Sequence, residues 1–407
     1  MSVVPARAAA HPVVADFERF MTEVVYPAEP LFAAEGGLNR VGSAVLRDVV
    51  RAGKDRGLWN LFGSRHPSAG ELTAADLAEL CELAGRSPVI AQVGVHSLNP
   101  DSGVLELLAQ LGTRQQQERW LEPLTDGTVG SGYCMTEPGV ASSDPQNLRT
   151  RAEVDGSGGF RVSGVKSWVT GALEPENAVL VVLAVTDPDA PPSSRHSMLL
   201  VPGDAPGVAP GRNMSLFGFG DLHRGGHPQL TFDGAPGELL GRRGGGLQAA
   251  QSLLGPARVL HCLRLVGTAE RALELLCRRL TERSSRGRPF AANDLWIDRV
   301  ADCRIRIESM RALVRTLAPR TGQQADVTTS LLKAAVPAQV ADIVDLAIQA
   351  HGADGFDDAT ILGQLYLHAR SLRISDGADE LHRMVVGRHE LRKYRATGPL
   401  PQDGSGR

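Results

Sequence analysis

The sequence predicts an α+β protein: an N-terminal helical domain (1–130), a middle β domain (131–240), a C-terminal helical bundle (241–395) and a disordered tail (396–407). Three observations predict it. Apolar residues recur at helical spacing before about residue 130, β-branched runs and turn residues follow, and long breaker-poor helical stretches close the chain. A chain of 407 residues is also too long for one small core.

In the first part, Val14, Phe17, Phe20, Met21 and Val24 lie on one helical face, as do Val45, Leu46, Val49, Val50 and Leu58. Thr73 with Asp76, and Thr113 with Gln116, have the spacing of helix N-caps. The hydroxyl accepts from an unpaired amide and the side chain three residues on reaches back. In the second part, Ala178 to Val185 is a continuous apolar run, Ser197 to Val201 is another, and Gln229 to Phe232 alternates. Asp155 to Gly159 and Asp187 to Pro192 read as turns. In the third part, helices are expected over Pro256–Arg283, Ala301–Leu317 and Ser330–Ala350, with Pro337 as a kink or first-turn residue. Several helices of this length favour a bundle. The tail after Tyr394 carries Gly398-Pro399 and Gly404-Ser405-Gly406, which suits disorder.

The balance of 43 basic against 46 acidic residues gives a formal net charge of −3, so nucleic acid is not expected as a partner. No apolar run approaches the roughly 20 residues that span a bilayer. The first residues lack a secretory-signal pattern, and a cytoplasmic location is expected. Five scattered cysteines read as reduced core thiols with no metal-ligand spacing. No GxGxxG joins a strand to a helix, so Rossmann-type nucleotide binding is not expected.

Three segments carry the chemistry: Tyr133-Cys134-Met135-Thr136-Glu137-Pro138-Gly139 continuing to Asp144, Gly164-Val165-Lys166-Ser167-Trp168-Val169-Thr170-Gly171, and Ile374-Ser375-Asp376-Gly377 continuing to Arg383. Together they resemble the signatures of the acyl-CoA dehydrogenase flavoenzymes, whose helix–sheet–helix layout matches the order read above. Arg195-His196-Ser197-Met198, Gly255-Pro256-Ala257-Arg258 and Asp376-Gly377 with Asp379-Glu380 look like the branch named after family member eleven. The kinase-like domain of that branch's larger members is not seen in this sequence.

The resemblance implies FAD. Tyr133, Cys134, Met135 and Thr136 would meet the isoalloxazine through backbone and side chain, with Trp168 packed on the ring and Thr170 near N5. Fixed donors there would stabilise charge that builds as hydride arrives. Ser142 is assigned to the cofactor and Ser143 to the substrate mouth, an extra residue in this motif leaving their order open. Arg283, Gln349 and Gly352 would hold a neighbouring subunit's cofactor, in a homodimer or homotetramer. Arg286 replaces the expected Phe, and Ala353 one expected Gly. Glu380, a further cofactor position, stands where many members carry Gln.

Asp376 would be the base that removes the proton beside a thioester, where most members carry Glu. The alternative base position, on the first long C-terminal helix, is Ala257 here, and Ala cannot act. Arg258 and Gly377 are assigned to the substrate, an acyl-CoA or acyl-carrier thioester, and an electron-transfer flavoprotein would reoxidise the flavin. Read locally, Asp376 is also a good helix N-cap, Thr136 a strand residue, Trp168 a core residue, and Arg258 a solvated residue at a helix start. Gly352 and Gly355 could end a helix. His223 and His227 read as Gly-rich loop residues at the substrate mouth, not as a metal site. Two other activities share the fold: a flavin oxidase or oxygenase resembling nitroalkane oxidase, and a non-catalytic scaffold or DNA binder.

Overall fold

The computed structural model describes residues 10–142, 144–156, 158–174, 178–318 and 323–395. Ser143 and the tail 396–407 lie outside the described residues.

Helix α1 (Pro12–Phe20) passes through a π-helical turn (Met21–Val25) into α2 (Tyr26–Ala34). Then come α3 (Ala44–Asp55), α4 (Ala74–Gly85), α5 (Ile90–Gly94), α6 (Asp101–Leu111) and the short α7 (Arg114–Gln116) and α8 (Glu122–Asp126). Both expected caps form as capping boxes, Thr73 with Asp76 opening α4 and Thr113 with Gln116 opening α7. Phe17, Phe20 and Phe32 are fully buried, so the apolar face read from the sequence is the core face.

The middle region is a seven-stranded sheet: β1 (Gly130–Cys134), β2 (Arg151–Val154), β3 (Phe160–Lys166), β4 (Ala178–Val185), β5 (His196–Pro202), β6 (Val208–Asn213) and β7 (Pro228–Leu240). The pairings β4–β2–β3–β7–β5–β4 close on themselves, with β1 parallel to β4 and β6 beside β7. Strand β4 is buried on both faces, which is why it reads as an unbroken apolar run.

The last region contains α9 (Gly246–Glu282), a hairpin of β8 (Ser284–Ser285) and β9 (Arg288–Pro289), then α10 (Asp294–Leu317), α11 (Gln323–His351), α12 (Leu362–Ser371) and α13 (Asp379–Arg395). Helix α9 begins well before the expected Pro256, which lies inside it, and Pro337 lies inside α11. A proline removes one helical hydrogen bond, and the long packed flanks of these helices hold them through the gap.

Helices α4 and α9 cross at van der Waals contact of their backbones. A Cβ on Gly85 would fall 1.7 Å from the Arg264 carbonyl oxygen, and one on Gly267 would fall 1.8 Å from that of Glu82. Thr268 Oγ1 donates to the Gly85 carbonyl at 2.8 Å, and Arg311 reaches across to Glu82 and Glu270. Alanine normally favours a helix over glycine by about 1 kcal/mol. Here Gly267→Ala should instead destabilise by about 1–3 kcal/mol, because the crossing must open; a lowered urea midpoint at unchanged slope is the expected result.

Candidate active site

The first two motifs are locked together by a buried ion pair. Lys166, at the end of β3 and fully buried, donates to Glu137 Oε1 at 2.8 Å and to the Met135 carbonyl at 3.0 Å. The Glu137 carboxylate also accepts from the amides of Arg149 at 2.7 Å and Thr150 at 2.9 Å. Burial depresses Lys166, whereas Glu137 is held below its ordinary value by Lys166 and the amides against the opposing effect of burial. Beyond the pair, the Ser167 amide donates to the Thr136 carbonyl at 2.9 Å. Thr136 therefore sits beside the second motif, and its hydroxyl accepts from Ser142 at 3.2 Å.

Strand alternation sorts the first motif. Tyr133 and Met135 pack on one side of β1 and Cys134 on the other, where its fully buried thiol sits in the sheet core. This corrects the expected side-chain role of Cys134: only its backbone can meet a ligand. Trp168 is in the left-handed region (φ +57°) and 47% exposed, so it is not a core residue.

Thr170 Oγ1 lies 2.9 Å from His227 Nδ1, and His227 Nε2 lies 2.9 Å from Asp221 Oδ2. Arg224 adds a two-nitrogen contact to the same carboxylate oxygen. Although burial opposes it, Arg224, His227 and His223 hold Asp221 far below the ordinary carboxylate range. His227 is thus part of a built, buried network, and His223 is buried beside it with no hydrogen-bond partner for its ring nitrogens among the described residues. Asn39 reaches from the N-terminal helices to the Gly220 amide at 2.7 Å and braces this loop.

Asp376 lies in a turn before α13, with φ +59° followed by +107° at Gly377. Its carbonyl accepts from Arg258 Nε at 2.7 Å and faces His382 Nε2 at 3.2 Å. Lys333, fully buried on α11, donates to the carbonyls of Leu372 and Ser375. A Cβ on Gly377 would fall 2.7 Å from His382 Nε2, so the turn needs glycine there. The Asp376 carboxylate caps no amide of α13 among the described residues; it meets His261 Nε2 of α9 at 3.3 Å. Arg258 is likewise no solvated helix-start residue, since α9 has already run three turns and its side chain pins the turn. Burial pushes the Asp376 carboxyl up, but His261, Lys333 and Arg258 together carry it below its usual value. The buried Tyr133 phenol, without a hydrogen-bond partner among the described residues, is pushed up by burial and by the Asp376 carboxylate.

Arg283, Gln349 and Gly352 form a second cluster. Arg283 Nη1 donates to the His351 carbonyl at 3.1 Å, and Gly352 (φ +65°) ends α11, so the helix-end reading of that glycine holds. Gln349 and Arg283 are exposed, as is Glu380 in the first turn of α13. Among the described residues no hydrogen bond joins this cluster to Tyr133, Thr136, Thr170 or Asp376.

Residues 132–233 match the model of the acyl-CoA dehydrogenase middle domain, and residues 244–391 match that of the acyl-CoA dehydrogenase C-terminal domain. The chain belongs to the acyl-CoA dehydrogenase family. It is 38% identical to the probable acyl-CoA dehydrogenase FadE2 of Mycobacterium tuberculosis, covering 93% of this chain and 94% of that one. It is 35% identical to acyl-CoA dehydrogenase family member 11 of Gallus gallus over 93% of its own length, but spans only 50% of that relative. A putative acyl-CoA dehydrogenase structure from Mycobacterium abscessus superposes with a TM-score of 0.87 at 37% identity, covering 95% and 100% of the two chains. Enzymes of this family use FAD; a Bacillus anthracis acyl-CoA dehydrogenase complexed with FAD shares the fold (TM-score 0.76, 22% identity, 95% of this chain and 67% of that one). The residues here suit such a group: an unpartnered buried phenol, a half-exposed indole and the Thr136, Ser142 and Thr170 hydroxyls lie on adjoining segments.

His261, Asn99, Lys333 and Asp221 are the residues around the site that motif reading missed; His227 was placed at the substrate mouth without a partner, and His382 lay in the third segment without a role. His261 alone had a signal, since it lies one helical turn after Ala257, on the same face.

Two outcomes are expected. Lys166→Met leaves a buried carboxylate without its cation and should cost about 3–5 kcal/mol in urea unfolding. His223, its side chain 1% exposed, is lowered to about 4 by burial. A ring held neutral in the fold contributes stability above its unfolded value of about 6.5, and that stability is lost as pH falls toward the folded value. Between about pH 7 and about pH 5 the wild type should lose about 2 kcal/mol through this ring, and His223→Leu should show a correspondingly shallower loss.

Proposed function

We propose that the chain oxidises an acyl thioester, carried on CoA or on an acyl-carrier protein, to the trans-2-enoyl thioester. The observation that carries this reading is the Asp376 carboxylate, which caps no amide of α13 among the described residues and sits on a turn whose carbonyls are pinned by Arg258 and Lys333. When bound, FAD supplies the acceptor for the hydride that leaves the β-carbon. Asp376 takes the proton from the carbon beside the thioester carbonyl, and its depressed value keeps it ionised for that task. The Asp376 amide donates to no acceptor among the described residues and is the donor assigned to the thioester oxygen. Gly377, against which the His382 ring packs, is assigned to the substrate, and Arg258 fixes the turn that carries it and Asp376.

Thr170, held by His227, and Thr136, held by Ser142, are assigned to the polar edges of the cofactor, with Trp168 against its ring. Tyr133, Met135 and the Cys134 backbone complete that wall. Arg283, Gln349 and Gly352 are assigned to the cofactor of a second copy in a homodimer or homotetramer. The planar fork of Arg283 suits a pyrophosphate. An electron-transfer flavoprotein is the proposed oxidant of the reduced enzyme.

An anaerobic titration with acyl-CoAs of graded length tests the reading. Flavin absorbance should bleach in the wild type, with enoyl thioester as product. Asp376→Asn should keep its flavin and bleach at least about a hundredfold more slowly. A flavin that no thioester bleaches, yet that turns over a nitroalkane with oxygen, would overturn it.

A further inference from the structure

Resting on the reading of Asp376 as the base, we propose that His261 is its positioning residue. The Nε2–H of His261 holds one carboxylate oxygen of Asp376 and turns the other toward the substrate carbon. The two groups come from distant elements, α9 and the turn before α13, and meet at 3.3 Å with side chains 12% and 21% exposed. His261 Nε2 thus stands on that carboxylate. Arg258, His382 and Lys333 engage carbonyls of the turn.

Hydrogen-bond chemistry decides which atom donates. Burial lowers His261, so the ring is neutral and only one nitrogen carries hydrogen. An unprotonated Nε2 would set two acceptors against each other, so the carboxylate selects the Nε2–H tautomer. Asn99 Nδ2 also faces Nε2, at 3.1 Å, and its amide orientation is set by Ser102, which donates to Asn99 Oδ1 at 3.0 Å. Asn99 therefore favours the opposite tautomer. A charge-assisted bond is roughly twice as strong as a neutral one, so Asp376 prevails while it is ionised.

The bond serves a carboxylate that is one methylene shorter than glutamate. Such a base has less reach to correct its aim, and misplacement by about 1 Å can cost roughly a hundredfold in rate. Fixing one oxygen removes rotation about the last side-chain torsion and aims the other. The same bond stabilises the ionised form, so its loss should also make Asp376 more basic. The other charged or titratable groups around the pair, namely Arg258, Arg264, Lys333, His368, His382 and the Tyr133 phenol, are common to all variants compared.

The test uses the FAD-loaded enzyme with His261→Leu, His261→Gln and Asp376→Asn. In His261→Leu, kcat should fall roughly tenfold to a hundredfold with KM little changed, and the acid limb of kcat/KM should move to higher pH. His261→Gln keeps an amide donor and should restore the limb and part of kcat. Without turnover, acetoacetyl-CoA should give its long-wavelength charge-transfer absorbance when the base removes its acidic proton. The pH midpoint of that band should rise in His261→Leu and return in His261→Gln. An unmoved limb and midpoint in His261→Leu, beside an inactive Asp376→Asn, would overturn the positioning role and leave Asp376 as base. An active Asp376→Asn would overturn both.

Discussion

The site depends on the Glu137–Lys166 pair. An isolated charge in a protein interior is costly, and a buried pair contributes little net stability even when well made. What it contributes here is register. Lys166 has one place to put its hydrogens, on Glu137 and the Met135 carbonyl, and Glu137 is filled by two further amides. The end of β1 therefore cannot slide past the end of β3, and the residues just beyond each strand are set side by side. The exposed Trp168 in its left-handed backbone and the hydroxyls of Thr136 and Thr170 inherit their places from that lock.

A second, independent clamp sets the other half. Lys333, Arg258 and His382 reach the Asp376 turn from α11, α9 and α13, all three toward backbone carbonyl oxygens. Arg373 closes the turn by bonding Asp379 at 2.8 Å. Two of the helices that supply these groups, α9 and α11, are the longest among the described residues. Two cations near an otherwise buried carboxylate also keep it ionised, which burial alone would oppose. The first two motifs and the Asp376 turn are thus held by separate devices.

Much of this was legible in the sequence, for physical reasons that differ by region. Capping boxes at Thr73 and Thr113 and the run of β4 are local signals, and each formed where it was read. Strand β1 has Gly130 and Gly132 in place of alternating side chains, so only its motif marked it. The start of α9 was hidden behind Gly244–Gly246 and Pro256, which mimic a boundary that packing overrides. The motif residues were found because their spacing is a pattern. His261 was not, and His227 was read only as a loop residue at the substrate mouth, because a single histidine in an apolar helix or a glycine-rich loop has no pattern of its own. Their meaning comes from partners far along the chain, Asp376 and Thr170, and only the fold supplies those distances.

The same geometry explains why the carboxylate is aspartate. Residue 376 has φ +59° and is followed by a second left-handed residue, a backbone that long side chains resist and that Asp and Asn accept more readily. A glutamate there would extend farther but would sit on a strained turn whose carbonyls are already committed to Arg258 and Lys333. A short carboxylate and a left-handed turn therefore go together at residue 376. The carboxylate itself meets a neighbour on α9, His261, at 3.3 Å. That helix already carries Arg258, so a single element fixes both the carbonyl of residue 376 and its carboxylate, one turn apart.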